Sequence, residues 1–194
     1  MPIVRLSWDR SLTVLLASNA AIIIVALVQH WNISSMLWIY WLQSVIIGVF
    51  QAARMLSLRR FSTAHLRING MPAQPTLGTK TFIVAFFLMH YGLFHLGYGL
   101  LLSQHAPLVL GLLPFAALFV INHAISLRDH LRADENSIPN IGALMFLPYA
   151  RIVPMHIILI LGARMPLDQT GLALFLALKT AADALMHVIE HSIS

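Results

Sequence analysis

Six stretches of this chain are each apolar over a length that would cross a lipid bilayer, and no other feature limits its fold as sharply. A helix rises about 1.5 Å per residue, so about 20 apolar residues bridge a hydrocarbon core about 30 Å thick. The stretches fall at about 12–31, 35–56, 81–103, 107–127, 143–163 and 169–190. In hydrocarbon every backbone N–H and C=O must find a partner inside the protein, which favours the α-helix. The expected fold is therefore all-α, a bundle of six transmembrane helices forming a single domain over residues 1–194. Charged residues make up only 10% of the chain. A soluble domain has about 25%, so a water-facing surface would lack cover here.

The first stretch follows a short polar start, "MPIVRLSWDRS". It is longer than the apolar region of about 7–15 residues in a cleavable signal, and it reads as a span. The net charge is +5 and the basic residues alternate in side. Arg5 and Arg10 precede the first span. Arg54, Arg59, Arg60, Arg67 and Lys80 surround the loop after the second, and Arg128 and Arg132 follow the fourth. The loops on the other side carry only Arg164. The positive-inside rule then places both termini and the two longer loops in the cytoplasm. Orientation and contact with the lipid bilayer account for the basic charge, so no nucleic acid partner is expected. Trp31, Trp38 and Trp41 near the outer end of the second span suit an interfacial aromatic belt. "NGMPAQPTLGT" has the punctuation of an irregular loop. "RDHLRADENSIPN" reads as a short helical extension followed by a turn. There is no cysteine, which removes disulfides, thiolate metal sites and cysteine nucleophiles.

An ionisable side chain inside a span costs several kcal/mol unless it is paired or lines a cavity. His90 falls near the middle of the third span, with His95 nearer its outer end. His123 lies near the cytoplasmic end of the fourth. Arg151 and His156 lie within the fifth. The sixth ends in "KTAADALMHVIEH", where Lys179, Asp183, His187 and His191 recur every fourth residue among apolar neighbours. Residues four apart share a helix face, so the last helix carries one polar stripe that turns inward or meets another protomer, as in a homo-oligomer. The depths of His90, His156, Asp183 and His187 suit one buried polar centre in the cytoplasmic half.

Such a centre supports several chemistries. With no cysteine, zinc would take histidine and carboxylate ligands. His90, His156, His187 and Asp183 suffice, with His191 as an alternate. A zinc-bound water, with its pKa lowered toward about 7, would attack the carbonyl of a lipid amide or ester. Asp183 or Glu190 would act as general base and Arg151 would orient the lipid substrate. Alternatively, opposed histidines such as His90 and His156, or His95 and His123, would ligate b-type haem for electron transfer. A proton-coupled transporter would use the same groups as a relay. A structural subunit would use them, with Lys179, as interhelical hydrogen bonds and ion pairs.

The segments "WIYWLQSVIIGVFQAARML", "FFLMHYGLFHLGYGL", "PYARIVPMHIILILGA" and "LALKTAADALMHVIEH" resemble a family of bacterial polytopic membrane proteins of unknown function. Members of that family often carry an acidic residue where this chain has Gln43. The resemblance implies a bacterial inner-membrane protein and lends no activity. "HVIEH", with His90 as a further ligand, is similar to the zinc-binding pattern of the transmembrane hydrolases that include adiponectin receptors and alkaline ceramidases. That likeness implies zinc and lipid hydrolysis, although those proteins have seven spans.

Overall fold

The computed structural model describes residues 33–105, 113–162, 170–171, 173–174, 176–181 and 184, with isolated helical positions at 20, 24 and 28. The described residues are mostly helical. In chain order they form α1 (Ile33–Ser57), β1 (Arg67–Ile68), β2 (Met71–Pro72), α2 (Leu77–His105), α3 (Leu113–Glu135) and α4 (Ile141–Gly162). Two compact units result, one of Trp38–Tyr149 and one of Met1–Leu37 with Ala150–Ser194. Of the six expected spans, two, Ser34–Ser57 and Leu77–Gln104, are long and apolar enough among the described residues to cross a membrane. The expected span at 12–31 lies outside them except at its three isolated positions, and helix recurs within 169–190. Of the span expected at 107–127, residues 107–112 lie outside the described residues and 113–127 are helical. α3 runs from Leu113 through the charged "RDHLRADE", whose residues are good helix formers once the helix leaves apolar surroundings.

Within Trp38–Tyr149, α1 is the common partner of the other helices. It lies antiparallel to α2, because Trp41 meets His95 near one end and Lys80 meets Leu56 at the other. The close approach depends on two glycines. A Cβ on Gly48 would fall on the Tyr91 ring, and one on Gly99 would lie 3.1 Å from the Trp41 indole. Small residues at such crossings are what helices use where no solvent drives them together. α1 reaches α3 through Arg54, whose Nε and Nη2 donate to the two carboxylate oxygens of Asp134, both at 2.8 Å. It reaches α4 through Gln51, whose Nε2 donates to the Leu144 carbonyl oxygen at 2.7 Å.

That last bond has a local cause. Pro148 lies inside α4 and has no N–H, so it cannot bond the carbonyl four residues earlier. That carbonyl belongs to Leu144, and Gln51 satisfies it from the neighbouring helix. Proline inside apolar helices is tolerated where a neighbour repairs the backbone in this way.

The segment between α1 and α2 is ordered by hydrogen bonds, not an irregular loop. Arg67 pairs with Pro72 and Ile68 with Met71 in a two-stranded hairpin. Asn69 and Gly70 turn it with φ of 52° and 79°, both positive as a type I′ turn requires. Asn-Gly between "RI" and "MP" was a readable hairpin signal. Thr76 caps α2, accepting the Thr79 N–H at 3.2 Å. Asn140 caps α4, accepting the Ala143 N–H at 3.0 Å, and its own Nδ2 donates to the Ala64 carbonyl at 3.0 Å. Ser62 N–H donates to the Pro139 carbonyl and Ile141 N–H to the Ser62 carbonyl, which ties the segment to the start of α4.

Removing Gln51's amide leaves the Leu144 carbonyl without its partner in an apolar setting, which costs about 1–3 kcal/mol. Gln51→Leu is expected to lower the unfolding midpoint in detergent accordingly. In a Pro148→Ala background, where an intrahelical bond becomes available, the same change is expected to cost much less; equal losses in the two backgrounds refute the coupling.

Candidate functional site

The inward face of α2 is aromatic. Phe87, Tyr91, His95 and Tyr98 follow one another at intervals of four, four and three, so they share one face, and all four are buried. The Tyr91 and His95 rings stack with centroids 4.2 Å apart, and Phe87 lies 4.9 Å from Tyr91. Leucine sits on the opposite side: Leu88, Leu93, Leu96 and Leu100 are exposed.

His95 is 4% exposed. Its Nδ1 lies 2.9 Å from the Tyr91 carbonyl oxygen. A carbonyl only accepts, so Nδ1 carries the proton and Nε2 presents a lone pair. That Nε2 is buried without a hydrogen-bond partner among the described residues, as is the Ser44 hydroxyl. The backbone on either side is tied down. Trp41 Nε1 donates to the His95 carbonyl at 2.7 Å, and the Tyr91 hydroxyl donates to the Ser44 carbonyl at 2.8 Å.

His90 precedes Tyr91 of this stripe by one residue, about 100° round the helix, and is exposed instead of buried. Its ring is nonetheless held from three sides. Phe86 stacks on it at 5.4 Å with planes 12° apart, and Phe94 meets it edge-on at 5.0 Å. Tyr149 on α4 lies within hydrogen-bond distance, 2.9 Å from Nδ1 to the hydroxyl. Tyr149 is itself wedged edge-on against Phe87 and Tyr91. A hydrogen bond that fixes one imidazole nitrogen orients the other, and metal-binding histidines are held in this way.

The remaining expected residues are spread along the chain. His123 is half-buried beside Phe50, with ring centroids 6.0 Å apart, and Gln43 is half-buried on α1. His156 lies on α4 and is exposed, not buried; Arg151 is described in its backbone alone. Lys179 is half-buried and helical. Asp183, His187, Glu190 and His191 lie outside the described residues, so of the four-residue stripe on the last segment only Lys179 is described. Among the described residues no group of three histidine, aspartate or glutamate side chains could hold one metal ion. Of the three tryptophans expected in an interfacial belt, Trp31 lies outside the described residues. Trp38 is buried and packs edge-on against Trp41 at 5.4 Å, so both serve packing within the protein. Tyr149, Ser44 and Gln51 were not expected. Tyr149 carried no sequence signal beyond following a proline in an apolar helix.

The chain belongs to a family of unknown function, DUF6498, whose model matches residues 4–193. No curated protein and no solved structure matches it, so the likeness to transmembrane hydrolases has no support from either.

Gly48 and Gly92 separate packing from helix propensity. A Cβ at Gly48 would approach Tyr91 Cδ1 to 2.8 Å, whereas one at Gly92 meets nothing within 4 Å. Gly48→Ala is expected to displace Tyr91 and destabilise by about 1–3 kcal/mol. Gly92→Ala is expected to be neutral or to stabilise by up to about 1 kcal/mol. Unfolding midpoints in detergent check both.

Proposed function

We propose that this protein works within a lipid bilayer, as a multi-pass protein of a bacterial inner membrane with six spans and both termini in the cytoplasm. The distribution of side chains on α1 and α2 carries this reading. The apolar windows of these helices are only 39% and 33% buried, whereas a core helix of a water-soluble protein is mostly buried. Their large exposed side chains are mostly leucine, phenylalanine, methionine and valine, and among the apolar residues of their interior lie Ser44 and His95. An exposed apolar surface of that kind is a liability in water and ordinary in lipid. The end where α1 stops and α2 starts also gathers the charge. Between Arg54 and Glu135 there are seven basic residues and three acids.

Within that setting we assign His90 as the ligand-binding side chain. Its support is the braced ring with the Tyr149 hydroxyl on Nδ1, which leaves Nε2 for a metal. A zinc ion held there with further ligands would supply a nucleophilic hydroxide for a lipid amide or ester. The Phe86 and Phe94 rings beside the imidazole favour a second reading, b-type haem, whose apolar edge suits aromatic neighbours.

The absence of native cysteine makes the topology directly testable. Ser137→Cys is expected to react with a membrane-impermeant maleimide only after cells are broken open, and Gln104→Cys before. Recovery of the protein in the soluble fraction, or labelling of both positions from one side, overturns the membrane reading. Elemental analysis and a visible spectrum of the detergent-purified protein then decide the ligand. Zinc near one per chain supports the hydrolytic reading, and iron with a Soret band supports haem. Tyr149→Phe is expected to weaken metal affinity by about 10–100-fold and His90→Ala to abolish it. A preparation with neither metal sinks the His90 assignment.

A further inference from the structure

Residues 58–80 contain Arg59, Arg60, Arg67 and Lys80 and no acidic residue. These four cations are not equivalent. Lys80 is engaged internally, with Nζ donating to the Leu56 and Leu58 carbonyl oxygens, each at 2.9 Å. It thereby neutralises the carbonyl end of α1, where the helix dipole is negative. Arg60 and Arg67 are braced but open. Arg60 Nη2 donates to the Glu135 carbonyl at 3.1 Å and Arg67 Nε to the Gly70 carbonyl at 3.1 Å, yet both side chains are exposed. A guanidinium has five N–H donors, so each keeps most of them for another acceptor. Arg59 is exposed as well.

The backbone beneath them is fixed. The hairpin is closed by its Asn-Gly turn, and the Thr63 hydroxyl donates to the Ala73 carbonyl at 2.7 Å. Ser62 and Ala64 are bonded to the start of α4. The neighbouring charged stretch differs. On the last turns of α3, Arg128 and Arg132 are interleaved with Asp129, Asp134 and Glu135, and Asp134 is paired with Arg54. The unbalanced positive charge therefore resides on the segment between α1 and α2. Both helices that flank it have span length, so with those helices in a bilayer the segment would fall at the level of the headgroups.

From this juxtaposition we propose that residues 58–72 form a binding surface for anionic phospholipid headgroups, with Arg59, Arg60 and Arg67 contacting the phosphates. Guanidinium groups match phosphate oxygens in a two-point geometry, and a braced arginine loses less freedom on binding than a free one. Met71, exposed at the hairpin tip, offers an apolar side chain to the acyl boundary beside them. This inference rests on the membrane reading above.

The test uses the full chain, inserted into mixed phosphatidylcholine and phosphatidylglycerol vesicles and re-extracted in mild detergent. The retained lipids are counted by native mass spectrometry. The wild-type protein is expected to retain phosphatidylglycerol preferentially. Each arginine removed is expected to lower that preference up to about fivefold. The variant Arg59→Gln, Arg60→Gln, Arg67→Gln is expected to lose it, while Arg128→Gln, Arg132→Gln keeps it. If the triple variant does not fold, Arg59→Gln alone, which disturbs no internal hydrogen bond, carries the comparison. Equal retention of the two lipids by the wild type overturns the proposal, and so does an equal loss in the two glutamine variants, which would reduce the effect to net charge. Displacement of the lipid by inorganic phosphate at matched concentration assigns the surface to free phosphate and also overturns it. Failure of the chain to enter vesicles at all sinks the membrane reading itself, a separate outcome.

Discussion

A polar backbone group cannot be left bare in apolar surroundings, and the packing around α1 follows from that constraint. Pro148 breaks the hydrogen-bond ladder of α4 and frees the Leu144 carbonyl; Gln51 answers it from α1. Trp41 and the Tyr91 hydroxyl add second bonds to the His95 and Ser44 carbonyls. Lys80 covers the last carbonyls of α1. Each of these bonds joins two segments far apart in sequence, so satisfying the backbone also fixes which helices are neighbours.

Around that frame, small and large residues are matched. Gly48 gives space to the Tyr91 ring and Gly99 to the Trp41 indole, which lets α1 and α2 approach closely along their length. The aromatic stripe of α2, with Ile83, Val84 and Leu102, then fills the interior, and most of its leucines are left outside. At the charged end the ordering is electrostatic. The Arg54–Asp134 pair is largely buried, with side chains 14% and 8% exposed, and it joins α1 to α3 where the apolar packing ends. Removing one partner of such a pair costs far more than the pair contributes, because it strands a charge. The hairpin and the two helix caps, Thr76 and Asn140, finish that end in the manner of a soluble protein.

The candidate site was legible only in part. His90 and His95 stood out because imidazoles are rare in apolar segments, and both make specific contacts. What the sequence did not give is which of them is buried. His95 lies on the buried stripe and His90 beside it, which depth along a helix axis does not distinguish. Tyr149 was invisible as a partner of His90, because its hydroxyl reaches across to another helix and no spacing rule links positions 59 apart. Trp38 and Trp41 were misassigned for a related reason. A tryptophan near a span end suits both lipid headgroups and a helix interface, and only the neighbouring helix decides between them.

The amino-acid sequence by itself determined the helical class, the approximate position of the second and third apolar segments, and the concentration of basic charge between them. These follow from composition and from local hydrogen bonding within one helix. It also held the Asn-Gly signal for the hairpin, since a turn of that type depends on two residues alone. The tertiary structure alone decided the face each helix turns inward, the pairing of Gln51 with a proline-freed carbonyl, and the bracing of His90 by Tyr149. The physical reason is common to all three. In a helix of nearly uniform hydrophobicity the apolar moment selects no side, so orientation is set by specific polar contacts and steric fit with a neighbour, and those exist only once the helices have met.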